Sequence, residues 1–150
     1  MIATSVSYDL VFLAHVVAAV ATLTVFIAMR FSALTVARGA DGAVQRARFA
    51  ERRNWAARVL HVLPVTGVAM SLAGNSTVSL TKPWIGVGLL CYLGAAGHLE
   101  ARTLPLEKVV AEVIAHDGVA SPERGQRLVR SIDVLLGLIA LALVAMLVQF

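Results

Sequence analysis

The sequence predicts an all-α integral membrane protein, a bundle of four transmembrane helices with both ends on the non-cytoplasmic side. Three observations point there. Hydrophobic residues make up 59% of the 150-residue chain and charged residues 15%, against about half and about a quarter in soluble domains. The apolar residues gather into four blocks, 6–29, 55–73, 83–99 and 132–150. Each comes close to the ~20 helical residues that cross ~30 Å of hydrocarbon. The 13 basic residues fall into two groups, seven from Arg30 to Arg58 and five from Arg102 to Arg130, with Lys82 alone between them. Basic loops stay in the cytoplasm, which places both long connections inside and the 74–82 link and both termini outside. The whole chain reads as one membrane domain. The net charge of +4 therefore reports topology rather than a nucleic-acid footprint.

The first helix begins near Val6 and runs past Met29 and Arg30 toward Val36, until the stretch from Arg38-Gly39 to Gly42 breaks it. No Lys or Arg precedes it and its apolar run exceeds a signal-peptide core, so it is expected to be a retained span. No lipidation signal is evident. Residues 43–58, rich in Ala and Arg, are expected to be helical and to lead directly into the second span. Pro64 should kink that span one turn after His61, and Ala73-Gly74-Asn75 should end it. Thr81-Lys82-Pro83-Trp84 opens the third span, with Pro in the first turn and Trp at interface depth.

Between the third and fourth spans an amphipathic helix is expected. Leu106, Val109, Val110, Val113 and Ile114 recur at helical spacing opposite Glu107, Lys108 and Glu112, which suits a helix lying on the membrane or on the bundle. After Asp117-Gly118 turns the chain, Ser121-Pro122-Glu123 supplies a cap, a proline and an acidic first turn. One helix of about 28 residues, ~42 Å, is then expected to reach the C-terminus. Sliding the chain by 72 residues superposes Arg30 on Arg102, Glu51-Arg52 on Glu123-Arg124, Arg58 on Arg130 and His61 on Asp133. Two hairpins of one orientation are what a parallel repeat requires. Two basic loops obeying one topology rule would give the same pattern.

Ionisable groups inside a bilayer are costly and tend to face the bundle interior or mark function. His15 lies in the first helix, while His61, His98 and Asp133 lie near the cytoplasmic ends of the second, third and fourth, flanked by Arg58, Glu100, Arg102 and Arg130. His116 falls in a loop and reads as solvated. Small residues share the faces of these groups: Ala18, Ala19 and Thr22 with His15, Val87, Cys91 and Gly94 with His98, Gly137 and Ala140 with Asp133. Such faces favour close helix packing or leave room for a ligand. One reading is a histidine-lined site: His61 and His98, with His15 a third candidate metal ligand, hold a transition metal or haem b, and Arg58, Arg102 and Arg130 meet haem propionates. The other is an interhelical polar clamp, His61 with Asp133 and His98 with Glu100, with arginines extending to headgroups. Cys91, the sole cysteine, excludes an intrachain disulfide or a cysteine-based zinc site and reads as a packed thiol. There is no HExxH, CxxCH, P-loop or GxSxG motif, and no catalytic residue is assigned.

Leu13-Ala14-His15-Val16-Val17-Ala18-Ala19, Val65-Thr66-Gly67 and Thr81-Lys82-Pro83-Trp84-Ile85 together resemble the small bacterial four-helix membrane proteins around the copper-resistance CopD type, notably a family of predicted integral membrane proteins in that group. His15 and His98 are similar in placement to histidines of the HemJ-type protoporphyrinogen oxidases. The resemblance implies copper transport or porphyrin oxidation. Helix one carries Ala21, Thr22 and Leu23 where those families place Trp and Gly, and Lys82 precedes helix three rather than lying within it. The expectation is thus a bacterial inner-membrane protein with a histidine-containing site for haem or a transition metal. The alternatives are a non-catalytic accessory or assembly subunit of a larger membrane complex, and a small transporter or channel. Expected partners are the lipid bilayer and a homodimer or larger complex, with no nucleic acid.

Overall fold

The computed structural model describes residues 2–49, 56–73 and 82–148, with side chains from Tyr8 onward. Those residues form helices and short turns, with no strand among them. In chain order they are α1 (Ile2–Ala37), α2 (Gly42–Arg48), a 3₁₀ turn (Ala56–His61) leading into α3 (Val62–Ala73), α4 (Pro83–His98), a π-helical turn (Leu99–Thr103), α5 (Leu104–Asp117) and α6 (Pro122–Val148). Three segments are long and apolar enough to cross a membrane: Tyr8–Ala37, Ala56–Ala73 and Pro122–Val148. Trp55, the expected Gly74-Asn75 end of the second span, Thr81 and the last two residues lie outside the described residues.

The core follows from stripes at helical spacing. On α1 the buried positions are Ala18, Thr22, Phe26, Met29, Ala33 and Val36; on α6 they are Gly125, Leu128, Ser131, Ile132, Leu135, Ile139 and Ala145. These two stripes face each other. α4 packs on α6 from one side through Gly88, Cys91, Ala95 and Leu99, and α3 packs on α1 from the other. The order in space is therefore α3, α1, α6, α4, an arc whose two ends meet at the 3₁₀ turn. Most of the large buried side chains gather toward the end that carries α2, α5 and the start of α6, where Phe49, Leu60, Val110, Ile114, Ala120 and Leu128 complete one cluster.

Several local features differ from the sequence expectation, each for a physical reason. α1 ends as expected near Gly39, in a Schellman arrangement: Ala40 N–H donates to Thr35 O, Gly39 N–H donates to Val36 O, and Gly39 has φ +67°. The helix from residue 43 does not run through to α3. It stops at Phe49, whose backbone is extended and whose ring is buried in the core. Pro64 follows by two residues the change from 3₁₀ to α at Val62, which leaves it in the first turn of α3, where its missing N–H removes no α-helical bond.

The third helix does not end at residue 99. It widens into the π turn, where Leu104 N–H donates to Leu99 O, and continues as α5. Pro105 cannot donate to the Ala101 carbonyl and would clash with it, and the wider turn absorbs that conflict. α5 is amphipathic and lies on the bundle, with Val110 and Ile114 buried and Lys108 and Glu112 exposed. Asp133, Gly137 and Ala140, expected to face inward, are exposed. The larger aliphatic stripe of Leu128, Ile132, Leu135 and Ile139 takes the interior instead.

The tightest approach is between α6 and the end of α1. A Cβ on Gly125 would run into the backbone of Val36 and Ala37, whereas one on Gly137 would meet nothing within 4 Å. Gly125→Ala is therefore expected to destabilise the purified protein by about 1–3 kcal/mol through overpacking. Gly137→Ala should be neutral or stabilising by up to about 1 kcal/mol through helix propensity. Thermal unfolding of the two variants in one detergent measures the contrast.

Candidate functional site

A polar group inside an apolar bundle must find its hydrogen-bond partner in the protein. Each histidine of the apolar helices does so on a different neighbour. His15 of α1 lies 2.7 Å, Nδ1 to Oγ1, from Thr66 of α3. The Thr66 hydroxyl is within donating distance of the Val62 and Leu63 carbonyls, 3.0 Å each, so it accepts from His15 Nδ1–H. His61, at the end of the 3₁₀ turn, has both ring nitrogens engaged. Nδ1 is 3.0 Å from the Tyr92 hydroxyl of α4, and Nε2 is 3.5 Å from Glu100 Oε1. A carboxylate only accepts, so Nε2 carries the proton and the Tyr92 hydroxyl donates to Nδ1. The two rings meet edge-on, at an interplanar angle of 86°.

His98 of α4 points to α6. Its Nε2 lies 3.1 Å from the Ser131 carbonyl oxygen and 3.0 Å from Ser131 Oγ. A carbonyl oxygen has no proton to give, so His98 Nε2–H is the donor. Ser131 Oγ also meets Thr103 Oγ1 at 2.8 Å, so the buried hydroxyls of Ser131 and Thr103 are paired through one small network.

Charged groups sit at the same end. Arg58 makes a bidentate pair with Glu100 (Nε–Oε1 2.9 Å, Nη2–Oε2 2.8 Å), the geometry in which a guanidinium matches a carboxylate best. Arg30 Nε lies 2.6 Å from Asp133 Oδ1 and ties α1 to α6. The expected pairings are therefore exchanged: Asp133 is held by Arg30 rather than His61, and Glu100 by Arg58 and His61 rather than His98. Glu100 and His98 stand two residues apart on one helix, so they project to opposite flanks. Glu100 lies just past the apolar run of α4, and its hydrogen bonds from Arg58 hold its carboxyl below the usual value. Arg102 and Arg130 are exposed, as is His116. Cys91 is buried and free.

Among the described residues no group of three or more His, Cys, Asp or Glu side chains comes together as a metal ion would need. His61 and His98 serve separate contacts on opposite flanks of the π turn, and His15 belongs to a third. Sequence reasoning did not single out Tyr92, Thr103 or Ser131, and used Thr66 only for the family resemblance. Lone hydroxyls inside apolar runs carry no signal until a histidine is placed beside them. It also missed Gln45, wholly buried where the basic loop suggested solvent. Gln45 accepts from Ala120 N–H at 2.9 Å and donates to Ala40 O at 2.8 Å, while Arg46 donates to Gly118 O at 3.1 Å. These bonds join the α1–α2 connection to the α5–α6 turn.

Comparison with protein-family models, with curated proteins and with solved structures returns no match.

Because the Glu100 carboxyl titrates lower in the folded protein than in the unfolded chain, its ionised form favours folding. That contribution is present above the ordinary carboxylate range and is lost as pH falls through the depressed folded value. Thermal unfolding in detergent across acidic pH should show a stability loss in the wild type that Glu100→Gln reduces. A separate variant, Ser131→Ala, leaves the Thr103 hydroxyl unpaired in the core and is expected to cost about 1–2 kcal/mol, read in the same unfolding assay.

Proposed function

We propose that the chain is a four-span protein of the bacterial cytoplasmic membrane with both termini outside, acting as a non-catalytic accessory or assembly subunit of a larger membrane complex. The four-span topology rests on the basic residues. Arg30, Arg58, Arg102 and Arg130 lie just beyond the apolar stretches, at the end joined through Gln45 and Arg46, and basic segments stay in the cytoplasm. α4 has 16 residues, ~24 Å of helix, and continues unbroken into the π turn, so it reaches both surfaces with flanking residues or local thinning of the bilayer. The two hairpins then share one orientation, as a parallel repeat requires.

The observation that carries the accessory role is α3. None of its 12 residues is buried, and Val65 and Leu72 are 68% and 81% exposed. It is held by polar contacts at His15–Thr66 and at the 3₁₀ turn, with Leu63 of its first turn packed against the edge of the core. A span that buries so little within its own chain suits one completed by a partner helix. Meanwhile the histidines, which would be a ligand set in an enzyme or carrier, serve interhelical hydrogen bonds.

The second reading is the metal or haem site to which the CopD and HemJ-type resemblance points. One spacing favours it: His61 Nε2 and Glu100 Oε1 are 3.5 Å apart, close to the ~3.4 Å between neighbouring tetrahedral ligands with bonds of ~2.1 Å.

Two measurements on the full chain separate the readings. With Cys91→Ala as background, Val65→Cys and Leu72→Cys should each give a discrete adduct with one other chain after thiol cross-linking in native membranes, and Val17→Cys on the exposed α1 face should not. Equal labelling from all three positions, or none, would overturn the accessory role. The purified protein is expected to be colourless. A Soret band or stoichiometric metal, lost in His61→Ala, would establish the second reading instead.

A further inference from the structure

We infer that Arg102 and Arg130 form a clamp for the phosphate of an anionic phospholipid headgroup on one flank of the α4–α6 seam, an inference that rests on the four-span reading. The two helices are antiparallel, since residues later in α6 meet residues earlier in α4. Ser131 touches His98 and Thr103, Leu138 lies against Gly94, and Met146 lies against Gly88. Thr103 and Ser131 face each other across the seam at 2.8 Å. For two antiparallel right-handed helices, the residues just before a facing pair project to the same side, because each is turned back by about 100° on helices of opposite sense. Arg102 and Arg130 are those residues. Both are exposed, and neither makes a hydrogen bond or ion pair with another described residue.

The neighbouring carboxylates are already engaged. Glu100, two residues before Arg102, projects to the opposite flank and is gripped by Arg58; Asp133 is taken by Arg30. Glu123, toward the start of α6, is bonded to Ser121 and lies near Arg127. Among the described residues, two guanidinium groups on one flank thus lack a carboxylate partner at the level where the apolar helices give way to the basic end. That is what a phosphodiester matches with bidentate hydrogen bonds.

The surface beyond the clamp suits the rest of a lipid. Val134, Gly137, Leu141, Val144 and Val148 follow Arg130 at steps of three and four on α6, and all are exposed. Leu90 and Gly94 of α4 are exposed beside them, and Gly137 leaves open space where a side chain would stand. An acyl chain fits along this shallow apolar strip while its headgroup sits under the two arginines. Basic sites between membrane helices on the cytoplasmic side take anionic lipids by this combination of chemistries.

Native mass spectrometry of the full chain in detergent, titrated with phosphatidylglycerol, phosphatidylcholine or inorganic phosphate, tests the site. Phosphatidylglycerol is expected to bind saturably, and the double variant Arg102→Gln/Arg130→Gln to weaken it by about thirtyfold, the effect of two surface arginines. Arg38→Gln/Arg48→Gln removes the same charge elsewhere on the basic end and should bind as the wild type does. Equal weakening by both double variants, equal binding of phosphatidylcholine, or displacement of the lipid by inorganic phosphate would each overturn the proposal. Circular dichroism of both variants confirms that they are folded. Extraction of the chain from membranes without detergent would instead overturn the four-span reading on which the site rests.

Discussion

Hydrogen bonding within an apolar helical bundle is the constraint on which the rest of this structure depends. A histidine or hydroxyl left unpaired there costs several kcal/mol by typical transfer values, so the three histidines of the apolar helices dictate which helices meet and at what register. His15 fixes α3 on α1, His61 brings the start of α3 against α4, and His98 sets α4 against α6. Arg30–Asp133 closes the remaining pair, α1 with α6. Each of these four contacts joins a different pair of helical segments, and together they account for the arc in which the helices stand.

Apolar packing is distributed unevenly around that frame. α1 and α6 share an unbroken interface whose closest point is Gly125 against Ala37. Beyond the charged groups, α5 and the first turns of α6 extend the core, and the Gln45 bonds lock the two connections together. α3 sits at the opposite extreme, with no buried residue and only Leu63 of its first turn packed against the core. A rigid end and a sparsely packed outer helix in one small chain suit a subunit that presents α3 to something else. The apolar strip below Arg102 and Arg130 offers a second face, suited to lipid.

The all-helical class, the three long apolar helices, the amphipathic α5 and the caps at Gly39 and Gly118 were legible because each rests on a local pattern: hydrophobic period, run length, or a glycine with positive φ. The polar residues of interest were legible as a set, since charge and imidazole stand out in an apolar sequence. Their pairings were not. Whether Asp133 reaches Arg30 or His61 depends on the rotation of α6, which is decided by Leu128, Ile132, Leu135 and Ile139 burying more area than the small-residue face of Gly137 and Ala140. The π turn was hidden for a similar reason. Pro105 signals a disturbance, but whether a helix breaks or widens depends on tertiary contacts such as Thr103 with Ser131. The 72-residue shift likewise puts the end of α1, Ala37, onto Val109 in the middle of α5, because Gly39 has no counterpart there.

The histidines of the apolar helices form hydrogen bonds between helices, and their partners place the proton on Nε2 at both His61 and His98. Nitrogen-15 NMR of imidazole-labelled protein in lipid bilayers observes this directly. Nε2–H is expected at both His61 and His98, unchanged when a chelator is added. A chelator-sensitive, metal-shifted Nε2 resonance at either residue would contradict it.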